Sequence, residues 1–414
     1  LKTAATEAQS VAIGYQSMST TSNGSNNTMV GYSTGKFLVA NNDNNTGIGH
    51  NALSGIHGGL SEKNTAIGSG SMVGAINGAA HNTALGYNTL AAVTSGDNNI
   101  GIGNNAGAAA TTTSENIFIG KNAGTAVQTD AKVVAIGYNA YMTNDTTNAH
   151  DDSGVSLRGS GNTAIGHSSM TALNDVNSVR NTMIGFETMS QCGAANPKDN
   201  TGIGYRALYN VNHNDGDNNT AIGSKALMDL TEGANNVAVG AETLENLTTG
   251  DHNTCIGKKV LNSAVGAESN NVAIGSSAMQ NTNSDSAVKN IAIGVDALNN
   301  TNTRTCAENV FIGYASGNGN WAGTARYNVA VGMNTMQGAL NGAENNVVIG
   351  HGAEISAVGS TGQIAIGQGV TCTGDNTITV GVGSNTASLG LDGSDTSWAA
   401  ASSDERLKEN IKSS

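Results

Sequence analysis

Few side chains in this 414-residue sequence stand at spacings that chemistry would use. His150 is followed directly by Asp151 and Asp152. An imidazole beside two carboxylates is the donor set of a divalent-cation site, and the same groups could contact a glycan. The plainer alternative for these three residues is a solvated loop. His50, His167 and His351 each directly follow a glycine of one recurring phrase. On a threefold axis one such histidine would become three, enough for an axial ion. No histidine pairs with a Cys or Glu at ligand spacing, so no metal and no cofactor is assigned. Tyr15, Tyr32, Tyr87, Tyr138, Tyr205 and Tyr314 occupy that same post-glycine position. Such a stripe would serve as a glycan platform or as packing between chains, and packing is the preferred reading. Cys192, Cys255, Cys306 and Cys372 are far apart and lack C-x-x-C spacing; Cys255 replaces Ala in its phrase and reads as a small buried residue. No G-x-S-x-G elbow, H-E-x-x-H pair or phosphate loop stands out as an enzyme site, and the many G-x-G triplets are by-products of the repeat.

The elements that carry these residues follow from composition and periodicity. There are 56 glycines and one proline; charged residues make up 12% and aromatics 4%. That leaves little material for large globular cores, while the regular return of apolar residues argues against disorder. The net charge of −13 and the lack of a basic run in the first 400 residues disfavour nucleic acid and anionic membranes as partners. No apolar run approaches the ~18 residues of a membrane span. The chain starts at Leu1 without a secretory signal, and a leading segment is expected ahead of it.

The phrase is N-[TVI]-A-[IVL]-G, as in Asn64–Gly68, Asn162–Gly166 and Asn219–Gly223. It closes on twenty-one glycines from Gly14 to Gly381, 17 to 19 residues apart, with one spacing of 29 and a last one of 14. The period is too short for helix-pair repeats of ~33–34 residues and suits one coil of a parallel β-solenoid. Thr/Val and Ile share one strand face, expected to bury well; Ala and Gly share the other, expected to let another backbone approach. A Leu or Met four or five residues past the glycine is expected to point inward, and a polar turn rich in residues that tolerate positive φ closes the coil. The asparagines ahead of the strands are expected to form a ladder of amides; a row of metal or sugar ligands is the alternative. One Ile and one Leu per coil give little burial against the entropy each coil loses. The bare Ala/Gly face is therefore expected to pack against identical chains in a homo-oligomeric rod. The long spacing between Gly137 and Gly166 reads as an exposed loop outside the coil stack.

The ending differs from everything before it. From Asp404 to Lys412, six of nine residues are charged. Leu407 and Ile411 lie four apart, Ser402 or Ser403 is a fair N-cap, and acidic residues lead while Lys412 trails, so a short helix is expected.

Two resemblances add to this reading. The phrase resembles the N-S-V-A-I-G repeat in the left-handed parallel β-roll of trimeric autotransporter adhesin heads. It resembles more closely the N-T-A-I-G-Y-x-A-L arrays in tail fibres of phages and related large viruses. The likeness covers about residues 11 to 381, although the coils here are longer than in the adhesins. The ending S-D-x-R-L-K-x-N-I resembles the opening of the self-cleaving intramolecular chaperone at the C-termini of phage tailspikes and tail fibres. That likeness implies Ser403 as nucleophile, Lys408 as its base and a cut between Ser402 and Ser403; the chaperone body itself is missing. Together the resemblances imply an all-β, homotrimeric rod: a left-handed β-roll type of parallel β-solenoid with about 21 coils and a short C-terminal helix. They divide the chain into a lead-in (1–10), the repeat rod (11–381), an exit segment (382–402) and a truncated chaperone start (403–414). The implied role is a structural fibre of a virion, outside the cell, which attaches to a host-surface glycan or protein and joins other virion tail proteins. No enzymatic activity is expected beyond a single self-cleavage. A bacterial surface adhesin is the alternative. A polysaccharide-cleaving tailspike ranks low, because acidic residues are sparse and lie mostly in turns.

Overall fold

The structure is a computed structural model. It describes residues 9–20, 24–39, 41–128, 131–142, 161–172, 178–192, 196–212, 216–302, 304–319, 323–338, 340–391, 393 and 399–400. The chain divides into two compact units, 1–218 and 219–414. Each is built of all-β, parallel β-solenoid turns, about 18 in all among the described residues. The described residues contain no α-helix, hence none long and apolar enough to cross a membrane. The helix expected near the C-terminus lies outside the described residues.

In the first unit each repeat phrase supplies one three-residue strand. Strands from Val11–Ile13 to Thr201–Ile203 pair parallel with the next copy, like position opposite like: Thr65 faces Thr83, Ala66 faces Ala84, Ile67 faces Leu85. The long spacing leaves this pattern intact, since Val134–Ile136 pairs directly with Thr163–Ile165. The second unit repeats the plan from Thr220–Ile222 to Ile364–Ile366. Thr377–Val382 then pairs parallel with Ile364–Ile366 on one side and antiparallel with Asn385–Gly390 on the other.

Each strand ends on a glycine because no other residue fits there. Gly86 has φ of 139°, and a Cβ added to it would lie 2.6 Å from the carbonyl oxygen of Gly103 in the next coil. The close backbone approach expected at the glycine is therefore real, but the neighbour is the same chain's next turn. After the glycine the chain bends through alternating left-handed residues, Asn88 at φ 54° and Leu90 at 47°. Leu90 accepts this strained conformation because its side chain is fully buried.

The strand faces are the reverse of the sequence expectation. Ala66, Ala84 and Ala135, in the middle of their strands, are fully buried. The flanking Thr and Ile positions face outward and stay half-buried or exposed. The interior is narrow: the strand's small residue packs opposite the inward Leu or Met of the following bend, so the bulky β-branched side chains have room only outside. Volume exchange supports this. Phe118 stands where other strands have Ala, and the inward positions beside it are Gly107 and Gly124; a Cβ at either would come within 2.5 Å of the Phe118 ring. Phe311 is matched in the same way by Gly317.

Candidate functional site

The most regular polar feature is the asparagine column, and it is a ladder rather than a ligand row. The Oδ1 of Asn64 accepts both the backbone N–H (3.0 Å) and the Nδ2–H (3.1 Å) of Asn82, and Asn82 serves Asn99 in the same way (2.9 and 3.0 Å). Most Nδ2 groups place their second N–H on a turn carbonyl in the next coil; Asn82 donates to Gly96 at 2.8 Å. These asparagines are fully buried, and burial in an apolar interior is tolerable because every amide group is satisfied. No acceptor is left over for a metal. In the second unit the column ends at Gln363, whose backbone N–H donates to Asn346 Oδ1 and whose Nε2 donates to Ser356 Oγ and Asp375 Oδ1.

A foreign member that carries no side-chain acceptor stands in the column just before the long spacing. Val133 stands in the asparagine position and its N–H bonds Asn116 Oδ1 at 2.9 Å, but it offers no oxygen to the following coil. The Nδ2 of Asn162 donates instead to the hydroxyl of Tyr141 at 3.0 Å, and to the Ser178 carbonyl at 2.7 Å. Tyr141 occupies the inward Leu position of its bend and is buried. Its hydroxyl thus replaces the missing amide oxygen.

Aromatic side chains after the glycines form a second column on the outside of the first unit. Tyr15, Tyr32 and His50 stack at 5.3 and 5.2 Å; Tyr138, His167, Phe186 and Tyr205 stack at 5.0, 4.8 and 5.7 Å. Lys121 covers the Tyr138 ring at 5.8 Å and Arg206 that of Tyr205 at 5.2 Å. A glycan platform needs free ring faces, and within these runs the facing sides are occupied by the next ring or by a cation, which leaves open only a terminal face such as that of His50. His50 and His167 are members of these stacks; His351 has no ring contact among the described residues.

Beside it runs the outward strand column. Ile48, Leu85, Ile184 and Ile203 are exposed in the first unit, and Ile222, Ile256, Ile349 and Ile366 in the second. Sequence reasoning missed this surface because alternation alone does not say which side is inside.

Acidic groups are mostly coil-to-coil staples: Asp97 accepts the Ala80 N–H at 2.7 Å, and Asp251 the Ala234 N–H at 2.7 Å. Glu268 is different. It sits in a buried turn position where most other coils carry a small residue such as Gly, Ala, Ser or Cys. Its Oε2 accepts the Gly266 N–H at 3.0 Å, and its Oε1 has no partner among the described residues. Burial pushes its carboxyl above the usual carboxylate range, and nearby Asp285 adds to the shift. The group is sealed from solvent, so no substrate reaches it. Among the described residues no group of three His, Cys, Asp or Glu could hold a metal ion. All four cysteines are free and buried; burial pushes the Cys306 thiol up to about 12, which makes it inert at neutral pH.

The residues expected to do chemistry, Ser402, Ser403 and Lys408, lie outside the described residues, as do His150, Asp151 and Asp152. No family model, no curated protein and no solved structure matches the chain.

Proposed function

We propose that the chain is the structural fibre of a virion, a homotrimer of left-handed β-roll solenoids of about 21 coils that serves attachment to a host-surface glycan or protein. The observation that carries this reading is the outward column of isoleucine, valine and leucine. A single chain that keeps a long series of such side chains exposed invites association, and parallel copies in register offer each column an identical partner. The interchain face proposed is therefore this column, in place of the Ala/Gly face that lies inside each coil. Low charge, coil-to-coil hydrogen bonding and inert cysteines suit an extracellular mechanical element, with other virion tail proteins as neighbours.

The proposal includes maturation at the C-terminus. Ser403 Oγ attacks the carbonyl of Ser402 while Lys408 takes the hydroxyl proton and returns it to the Ser403 amine as the peptide C–N bond breaks; water then hydrolyses the Ser402–Ser403 ester, and the chaperone segment beginning at Ser403 is released once three chains are in register. Native mass spectrometry of the precursor with its chaperone restored tests both parts. Three chains per particle, each cut at Ser403, are expected, with the cut lost in Ser403→Ala. Single chains would refute the fibre, and uncut trimers would refute the maturation step. A bacterial trimeric adhesin remains the second reading, favoured by the same outward column; it predicts trimers with no cut.

A further inference from the structure

The post-glycine aromatic column and its neighbour both lose a rung in the same coil. His50 and Asn51 lie on one side, Tyr87 and Asn88 on the other, and between them stand Ser69 and Gly70. Backbone bonds place these in consecutive coils: Gly70 N–H to His50 C=O at 2.9 Å, and Asn88 N–H to Ser69 C=O at 2.9 Å. Where the column is complete, rings in consecutive coils lie 4.8 to 5.7 Å apart. Two coil steps of ~4.8 Å leave about 10 Å between the His50 and Tyr87 rings. Subtracting half a ring's thickness on each side leaves about 6 Å of free height. Tyr87 is 59% exposed and has no ring partner among the described residues, and His50 stacks on Tyr32 alone.

The second column is an amide row. Asn88, Asn105, Asn122 and Asn139 are linked Nδ2 to Oδ1 at 3.1, 3.4 and 3.0 Å. Gly70 interrupts it. The Oδ1 of Asn88 lies 3.6 Å from where a Gly70 Cβ would be, on the gap side, and no donor among the described residues reaches it. The Asn51 amide makes no side-chain hydrogen bond among the described residues. From Asn64 to Gly96 the sequence carries no charged residue.

We propose that this notch binds one neutral pyranose ring, stacked between His50 and Tyr87 and hydrogen-bonded by Asn51 and Asn88. A flat aromatic ring, about 3.5 Å thick, underfills the gap. A chair with axial hydrogens on both faces is about 5 Å thick and meets both ring faces with C–H groups, while its equatorial hydroxyls reach the amides at the rim. The absence of charge selects a neutral hexose or N-acetylhexosamine over an acidic sugar. The proposal deepens the attachment reading by naming a ligand class.

The test is saturation-transfer NMR on the full chain with methyl β-glucopyranoside, methyl β-galactopyranoside and N-acetylglucosamine at millimolar concentration. At least one is expected to saturate. Ser69→Tyr with Gly70→Asn fills this missing rung in both columns; it should raise the melting temperature and reduce the signal at least tenfold. Tyr87→Ala should do the same to the signal by removing one wall, and Tyr205→Ala should leave it unchanged. No saturation by any of the three sugars, or equal saturation in the filled variant, would overturn the proposal. Either result alongside intact competition for a host surface would leave the attachment reading standing.

Discussion

Replacing Tyr141 by Phe removes one oxygen and nothing else. In the wild type that oxygen accepts a hydrogen bond from Asn162 Nδ2–H at 3.0 Å, in a site where both residues are buried. Asn162 keeps its bond to the Ser178 carbonyl at 2.7 Å, so the substitution removes one acceptor from the amide rather than all of its partners. An unsatisfied buried donor costs about 1–3 kcal/mol. Coils contact mainly their neighbours, so the loss should be felt locally and a global melting curve would blur it. Amide hydrogen exchange read on peptides covering 134–142 and 161–172 is the suitable assay. At about 1.4 kcal/mol per tenfold, exchange there should accelerate roughly 5- to 150-fold, with little change in 83–103. Tyr138→Phe, which trims an exposed hydroxyl in the same coil, is the control. Val133→Asn combined with Tyr141→Leu restores the ordinary ladder rung and should recover protection. Wild-type exchange in Tyr141→Phe, or failure of that rescue, would refute the claim that the hydroxyl substitutes for the missing amide.

Gly86→Ala puts a Cβ 2.6 Å from the Gly103 carbonyl at a φ of 139°, and should cost more than about 3 kcal/mol, read as loss of soluble folded protein. Phe118→Ala should cost about 3–5 kcal/mol in urea denaturation through the cavity it opens. Adding Gly124→Leu, at a φ of 59° that other inward leucines share, should recover part of that loss, and purely additive effects would contradict the volume exchange. Glu268 has a folded-state pKa above its unfolded value, so its carboxyl favours the folded state most at low pH. Stability should fall as pH rises from the ordinary carboxylate value through the raised one, then level off. Glu268→Gln should flatten that slope in a melting-temperature series; an unchanged slope would show that the carboxyl is not the cause.

The coil period, the asparagine ladder and the inward leucines were legible because each is a periodic demand on residue type. Asn64, Asn82 and Asn99 recur where a buried amide must be satisfied by its own kind. Leu53, Leu90 and Leu208 recur where the bend needs an apolar plug. The facing of the strand was not legible. Alternation gives two faces, and small residues suit both a narrow interior and a close interchain contact; the pairing of Phe118 with Gly107 and Gly124 decides for the interior. The Tyr141 substitution had a signal in the sequence, since Val133 and Tyr141 both break their columns in one coil. Its meaning needed the 3.0 Å contact with Asn162. The long spacing reads in the sequence as an exposed loop; residues 143–160 lie outside the described residues, and the flanking strands Val134–Ile136 and Thr163–Ile165 pair directly.

The central claim is that the outward isoleucine column is covered by other copies of the chain. Because all four natural cysteines are buried, Ile184→Cys adds the one thiol whose reactivity depends on that claim. Its rate of maleimide labelling in the native particle is the deciding measurement. Labelling at least a hundredfold slower than in the denatured chain is predicted. Labelling as fast as in the denatured chain would show the column open to solvent and contradict the account.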